Sequence, residues 1–337
     1  MDKNRKIYFI CPKNSKPAGG VKQMYRMVDI LNRNGFNASI VHKNGQRESW
    51  FSNETRIQKN PYIFKKIKLK LKGKDSFFNR LVLKYLQSQS IKIEENAIVV
   101  FPEIYGDKIS GVLPNDFVIF NQNCYYTFEN FGNDAKADPY VSPKNKGVIV
   151  VSDDSLHYMK LAYPSVNVSR ITLGIDDRLF HYSSEKKPQI AYMPRKLSDD
   201  AKQIITVLSR KPEMKNWHFA PIEDKSETEV SSILKDSSIF LSLNHKEGFG
   251  LPPVEAMAAG CYVIGYAGQG GKEYFKEDFT GRIPDGDISA FVEEVLRVSQ
   301  NEKELKEKGQ RASDFILQRY TFAAEEESIL KFWNSIL

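Results

Sequence analysis

Short apolar runs alternate along this chain with stretches whose apolar residues recur every three or four positions. Residues 6–11 (KIYFIC) form the first run, and strands buried on both faces of a parallel sheet read this way. After Pro17-Ala18-Gly19-Gly20, the residues Val21, Met24, Tyr25, Val28 and Leu31 fall on one helical face until Asn34-Gly35 ends it. Residues 38–42, 97–103, 117–121 and 147–152 read as further strands. A helix capped by 152–155 runs to Tyr163 and stops at Pro164. Residues 168–173 follow, then a polar, linker-like 183–188. A second series begins at Gln189, with strands over 190–194, 217–222, 238–243 and 261–267. Its helices are predicted over 227–235, 288–298, 302–318 and 320–333. The alternation predicts an α/β chain with two parallel sheets.

Residues 238–275 carry the most specific chemistry. A strand leads into Glu247-Gly248-Phe249-Gly250-Leu251-Pro252-Pro253, a turn. Pro253 suits a first helical position and Gly260 the residue after a helix end. Gly248 and Gly250 let backbone N–H groups approach a ligand, and the helix start aims its positive end at the same spot. Glu247 and Glu255 bracket that anion site, and a carboxylate accepts two hydroxyl hydrogen bonds. A sugar nucleotide carries hydroxyls on both sides of a diphosphate. The plainer alternative is a tight strand-to-helix turn with a capping Glu.

Gly19-Gly20 likewise places N–H groups at a helix start, but without G-x-G-x-x-G a dinucleotide is not favoured. Glu103, Asn121-Gln122-Asn123, Tyr125, Tyr126, Phe128 and Phe131 follow strand ends, where open α/β sheets place ligands. The aromatics suit either an acceptor sugar or core packing.

The run EGFGLPPVEAMAAG, from Glu247 to Gly260, resembles the E-x7-E signature of glycosyltransferase family 4, the retaining GT-B enzymes. Gly270-Gly271-Lys272-Glu273 resembles the family's next glycine turn, and Gly281-Arg282-Ile283 with Asp287 the stretch after it. The resemblance implies an α/β GT-B fold, two Rossmann-like domains facing across a cleft. The N-terminal acceptor domain would cover 1–170 and the C-terminal donor domain 171–318, with a last helix in 319–337 packing back on the first. It implies retaining, metal-independent transfer from a nucleoside-diphosphate sugar to a hydroxyl of a glycan or lipid-linked acceptor. Bacterial surface polysaccharide synthesis is the expected setting, with no cofactor.

By the family pattern Arg195, with Lys196 or Lys202, holds the diphosphate. Glu247 takes the donor sugar and Glu255 the ribose hydroxyls. Glu247, Arg195 and Lys196 are the catalytic candidates, and Gly20, Phe249, Gly250 and Leu251 complete the donor side. Glu103, Asn123 and Tyr125 are the acceptor-side candidates. The family often has a His near 121–123, where this chain has Asn121-Gln122-Asn123.

Composition adds three constraints. Across 337 residues, 41% hydrophobic and 12% aromatic, there is enough apolar material for two cores. The formal charge of +7 suits an anionic partner. Cys11, Cys124 and Cys261 are sparse and odd in number, which points to a reducing compartment and inert core thiols.

Residues 59–74 hold lysines at 59, 65, 66, 68, 70, 72 and 74, interleaved with Ile63, Phe64, Ile67, Leu69 and Leu71. Phe77, Phe78, Leu81, Val82 and Tyr85 then repeat at helical spacing. Such a segment suits an anionic membrane surface, which places the protein in the cytoplasm, peripheral on the inner face of the cell membrane. The alternative is a solvated helical hairpin covering the sheet. No apolar run approaches a membrane span, and residues 1–6 lead into a strand and not a signal-peptide core. Asp285-Gly286-Asp287 reads as a turn and helix cap, and the five histidines show no metal spacing.

Two rival functions remain. One is a non-catalytic sugar-nucleotide or polysaccharide-binding protein. The other is a nucleic-acid-directed transferase using 59–74, although nucleic acid is not the expected partner. An epimerase or phosphorylase of the same fold is a further enzyme alternative.

Overall fold

The computed structural model describes residues 3–13, 18–71, 76–131 and 138–337, with residue 71 described in its backbone alone. Pro17, Lys72 and Lys74 lie outside the described residues. The chain divides into two compact units. The first comprises Met1–Val151, Ser155–Ile171 and Glu326–Leu337, the second Ser152–Asp154 and Thr172–Glu325.

The sheet of the first unit is built from β1 (Lys6–Ile10), β2 (Asn37–His42), β3 (Ile57–Lys59), β4 (Ile98–Pro102), β5 (Asp116–Phe120), β6 (Asn145–Val150) and β7 (Val168–Arg170). Every pairing is parallel, in the order β3-β2-β1-β4-β5-β6-β7. Helix α1 (Gly19–Arg33) buries Val21, Met24, Tyr25, Val28 and Leu31, the stripe that its spacing predicts. Gly35 leaves the helix at φ +82°, a conformation glycine adopts without a Cβ penalty. Helices α2 (Pro61–Leu71) and α3 (Phe77–Ser88) form a hairpin whose inner helix seats Ile63 and Ile67 in the core of this unit.

Helix α4 (Asp153–Ala162) precedes β7. The last helix, α10 (Phe322–Ile336), buries Ile329, Phe332 and Trp333. Trp333 lies 6.0 Å, centroid to centroid, from Phe9 on β1. Glu326 accepts from Asn34 Nδ2 at 2.6 Å. The return to the first unit thus begins at Glu326 and not at 319. Residues 319–325 group with the second unit, where the Tyr320 hydroxyl donates to Glu273 at 2.8 Å.

The second unit has β8 (Lys187–Tyr192), β9 (His218–Pro221), β10 (Ser237–Ser242), β11 (Tyr262–Gly265) and β12 (Thr280–Arg282), all parallel, in the order β12-β11-β10-β8-β9. Its helices are α5 (Ser198–Leu208), α6 (Glu227–Asp236), α7 (Leu251–Ala258), α8 (Ile288–Ser299) and α9 (Glu302–Arg319). Ile190, Ile239, Leu241, Tyr262, Ile264, Phe291 and Val295 form its core. The strand expected over 190–194 starts three residues earlier and ends at Tyr192, which frees 193–197 to turn into α5, a helix the sequence pattern did not reveal.

Candidate functional site

In an open parallel sheet the ligand crevice lies beyond the strand C-termini, where neighbouring strands send their connections to opposite faces. In the second unit that point falls between β8 and β10, adjacent in the sheet but not in sequence. The loop after β8 carries Arg195 and Lys196, and the loop after β10 carries Glu247. Lys196 Nζ donates to Glu247 Oε2 at 2.7 Å, with both side chains partly exposed. Of the two candidate lysines, Lys196 reaches Glu247, whereas Lys202 lies exposed on α5. Arg195 is exposed beside it in sequence.

The loop from Glu247 to Leu251 is held from below. Glu247 N–H donates to Gly268 O at 2.8 Å, and Gly270 N–H donates to Glu247 O at 3.1 Å, which ties the loops after β10 and β11 together. Gly270 passes so close that a Cβ there would sit 2.2 Å from Gly248 O. Beneath the loop, the fully buried Tyr274 places its hydroxyl 2.6 Å from Phe249 O and 3.0 Å from Gly250 O. A trans peptide points its C=O and the following N–H in opposite directions. With both carbonyls turned onto Tyr274, the N–H groups of Gly250 and Leu251 face away from the core. Gly250 adopts φ +88°, and a Cβ there would lie 2.7 Å from the Tyr274 hydroxyl, so only glycine fits.

Helix α7 starts at Leu251, two residues before the expected Pro253, with Pro252 and Pro253 in its first turn. Prolines have no N–H, so Leu251 and Val254 are the amide donors of that turn. Glu255 is the fifth residue of α7, partly exposed, one turn beyond Leu251 and on the same face. Phe249 is 3% exposed, with its ring packed edge-on against Tyr274 at 5.4 Å and Tyr320 at 5.3 Å. Its side chain is therefore core, and only its main chain borders the loop.

A second group of residues lies in the same unit. The Tyr266 hydroxyl donates to Asp200 Oδ2 at 3.0 Å, and the His245 ring packs at a tilt against the Tyr266 ring, 4.9 Å between centroids. Asp200 belongs to the first turn of α5 and gave no signal because that helix was not recognised. Asp287 caps α8, its Oδ1 accepting from Ala290 N–H at 3.0 Å, as the turn-and-cap reading expects. Among the described residues, no group of three or more His, Cys, Asp or Glu side chains is disposed to hold a metal ion.

In the first unit the corresponding reversal falls between β1 and β4. Gly20 is the second residue of α1 there, and Gln122 Nε2 donates to its carbonyl at 3.1 Å. Glu103 follows β4 and is 4% exposed. Its Oε1 accepts from Asn123 N–H at 3.1 Å, while Oε2 is buried without a hydrogen-bond partner among the described residues. Burial pushes the Glu103 carboxyl up to about 7, against the backbone N–H donors of Gln122, Glu103 and Asn123, which favour the charged form. Asn123 Oδ1 accepts from Tyr125 N–H at 3.1 Å. Tyr125 packs partly buried, 5.4 Å from the Tyr158 ring. Asn121 braces the core by donating to Thr127 Oγ1 at 2.8 Å and the Tyr140 hydroxyl at 2.9 Å. The structure thus joins Glu103 to Asn123 and Gly20 to Gln122, and turns Asn121 and Tyr125 toward packing.

Residues 197–315 match the family model for glycosyl transferases group 1. Over 344 residues, 98% of this chain and 94% of the relative, the chain is 23% identical to an alpha-1,6-glucosyltransferase of Actinobacillus pleuropneumoniae serotype 7 (strain AP76). Its fold is similar to that of a mutant of S. aureus TarM in complex with Fondaparinux, alpha-GlcNAc-glycerol and UDP. That match has a TM-score of 0.70 at 13% identity and covers 98% of this chain and 99% of that one. The fold is also similar to that of Anabaena HepE in complex with UDP and glucose. Here the TM-score is 0.65 at 12% identity, covering 98% and 100%.

Proposed function

We propose that this chain, which has the GT-B fold and whose residues 197–315 match glycosyl transferases group 1, is a glycosyltransferase that moves a sugar from a nucleoside-diphosphate sugar to a hydroxyl of a glycan or lipid-linked acceptor, with retention at the anomeric carbon. The observation that carries this reading is the Lys196–Glu247 pair at the β8/β10 reversal, set beside a loop whose carbonyls are tied down by Tyr274. UDP in the TarM and HepE complexes supports a nucleoside diphosphate as the leaving group. The A. pleuropneumoniae relative, a bacterial alpha-1,6-glucosyltransferase, supports glycosyl transfer as the reaction; bacterial surface polysaccharide synthesis remains the setting that the sequence resemblance implies.

In this reading the diphosphate lies over the Gly250 and Leu251 amides at the positive end of α7, with Arg195 and Lys196 beside it. These fixed cations and dipoles meet the charge that develops on the leaving group, the work a divalent ion does elsewhere. An ammonium has three protons, so Lys196 can hold Glu247 and a phosphate oxygen together. Glu247 then accepts from hydroxyls of the donor sugar, and Glu255 from the ribose. The anomeric carbon–phosphate oxygen bond breaks with its electron pair going to the diphosphate. The acceptor hydroxyl oxygen bonds to the same carbon, and its proton passes to the departing diphosphate oxygen. Glu103 and Asn123 are the acceptor-side candidates, with Glu103 fixing the main chain of Asn123.

The test is a panel of nucleoside-diphosphate sugars with and without bacterial glycan acceptors. Acceptor-dependent release of nucleoside diphosphate, with the donor's anomeric configuration kept in the product by NMR, supports the reading. A product of inverted configuration, or no turnover across the panel together with no nucleoside diphosphate binding, contradicts it.

A further inference from the structure

Helix α3 buries none of its residues, yet it carries Phe77, Phe78, Leu81 and Tyr85, which are 77%, 73%, 52% and 66% exposed. At about 100° per residue these four side chains span about 100° of the helix, a single continuous stripe. Isolated exposed apolar residues are ordinary, but four large ones on a twelve-residue helix form a patch that marks a contact surface. The exposed Arg80 and Lys84 border one edge of the stripe. Helix α3 rides on α2, which is fixed by Ile63 and Ile67 in the core of the first unit. The stripe is therefore displayed on a rigid support.

The lysine ladder preceding it is divided in role. Lys66 Nζ donates to Val112 O at 2.6 Å and Lys70 donates to Ser110 O, so these two brace α2 against the loop before β5. Lys68 stays exposed. From residue 59 to residue 92 the sequence has ten Lys or Arg and a single acidic residue, Asp75.

We propose that α3 is a docking face for an anionic lipid bilayer. The helix lies in the interface plane with Phe77, Phe78, Leu81 and Tyr85 inserted shallowly, and Arg80, Lys84 and Lys68 lie among the headgroups. A cation-bordered aromatic stripe has the amphipathic form such insertion needs. A polyanion such as nucleic acid matches the cations but leaves the apolar stripe in water. A second copy of this chain, docked stripe to stripe, brings Arg80 and Lys84 against their own kind.

The experiment is co-sedimentation with sucrose-loaded vesicles of phosphatidylcholine alone or mixed with phosphatidylglycerol, at low and high salt. The full chain should pellet with the mixed vesicles and be released by salt. The double variant Phe77→Ser, Phe78→Ser should lose roughly tenfold or more in partition coefficient, the factor that about 1.4 kcal/mol represents, with an unchanged melting temperature. Arg80→Gln with Lys84→Gln should erase the preference for phosphatidylglycerol. Failure of the wild type to bind mixed vesicles overturns the proposal, as does binding that the Phe variant leaves intact. DNA binding without vesicle binding reassigns the surface to a polyanion, and self-association lost in the Phe variant without vesicle binding reassigns it to a second copy. Each of these also overturns the proposal. None of these outcomes bears on the donor site, whose own test is nucleotide turnover.

Discussion

The Lys196 ammonium donates at 2.7 Å to a Glu247 carboxylate oxygen, joining the loops that leave β8 and β10 at the point where the sheet reverses direction. Two catalytic candidates from different loops thus share one contact. Lys196→Ala removes the cation proposed to meet the diphosphate and leaves Glu247 without its partner. Nucleoside diphosphate affinity should fall by ~1.5–3 kcal/mol, the range for charged hydrogen bonds. Isothermal titration measures it, and unchanged affinity in a folded variant contradicts the assignment.

Tyr274→Phe keeps the ring in its packing but deletes the hydroxyl that holds Phe249 O and Gly250 O. Two buried carbonyls lose their donor, so unfolding should be easier by ~1–3 kcal/mol. The loop amides should also lose their fixed direction, weakening nucleoside diphosphate binding roughly threefold to tenfold. Denaturant titration and calorimetry read the two effects separately. A variant as stable and as tight as wild type shows that the loop does not depend on this hydroxyl.

The glycine and proline grammar of the 247–260 loop was legible because it is local. Tyr274 acts on a carbonyl 25 positions away and Tyr266 on a carboxylate 66 away, and no spacing in the chain encodes such contacts. Strands β3 and β12 are three residues long, too short for a periodic pattern to register. The lysine ladder looked uniform in sequence. Lys66 and Lys70 were set apart by loop carbonyls 46 and 40 positions away. The apolar repeat of α3 predicted a helix face correctly, but periodicity alone cannot tell a buried face from a displayed one.

Glu103 should leave a mark on the pH dependence of stability. Burial holds its carboxyl near 7 in the folded chain, against an ordinary value of 4.5. Between those values the folded chain keeps a proton that the unfolded chain has released. The stabilisation from neutral Glu103 is therefore complete below about pH 4.5 and is lost as pH rises through about 7, by up to about 3 kcal/mol. Glu103→Gln, which imitates the neutral acid, should gain on wild type as pH rises from about 5 to 8. Unfolding free energies that stay parallel for the two proteins across that range contradict the raised value.

Asp287 is spent on the N-terminus of α8. Asp287→Ala should cost ~1 kcal/mol of stability, as lost caps do, and leave turnover intact. Transfer should likewise survive EDTA. Full loss on chelation, restored by Mn²⁺ or Mg²⁺, would return Asp285 and Asp287 to consideration as ligands.

The central claim is that the loop of Gly250 and Leu251, with Lys196 and Glu255, binds a nucleoside diphosphate. The most direct measurement is calorimetric titration of UDP and of inorganic pyrophosphate into wild type, Glu255→Ala and Lys196→Ala. Glu255→Ala should weaken UDP by ~1.5–3 kcal/mol, roughly tenfold to a hundredfold, because ribose hydroxyls lose a charged acceptor. Pyrophosphate, which has no ribose, should bind that variant as it binds wild type, whereas Lys196→Ala should weaken both ligands. UDP binding to folded Glu255→Ala and Lys196→Ala with wild-type affinity would contradict the claim.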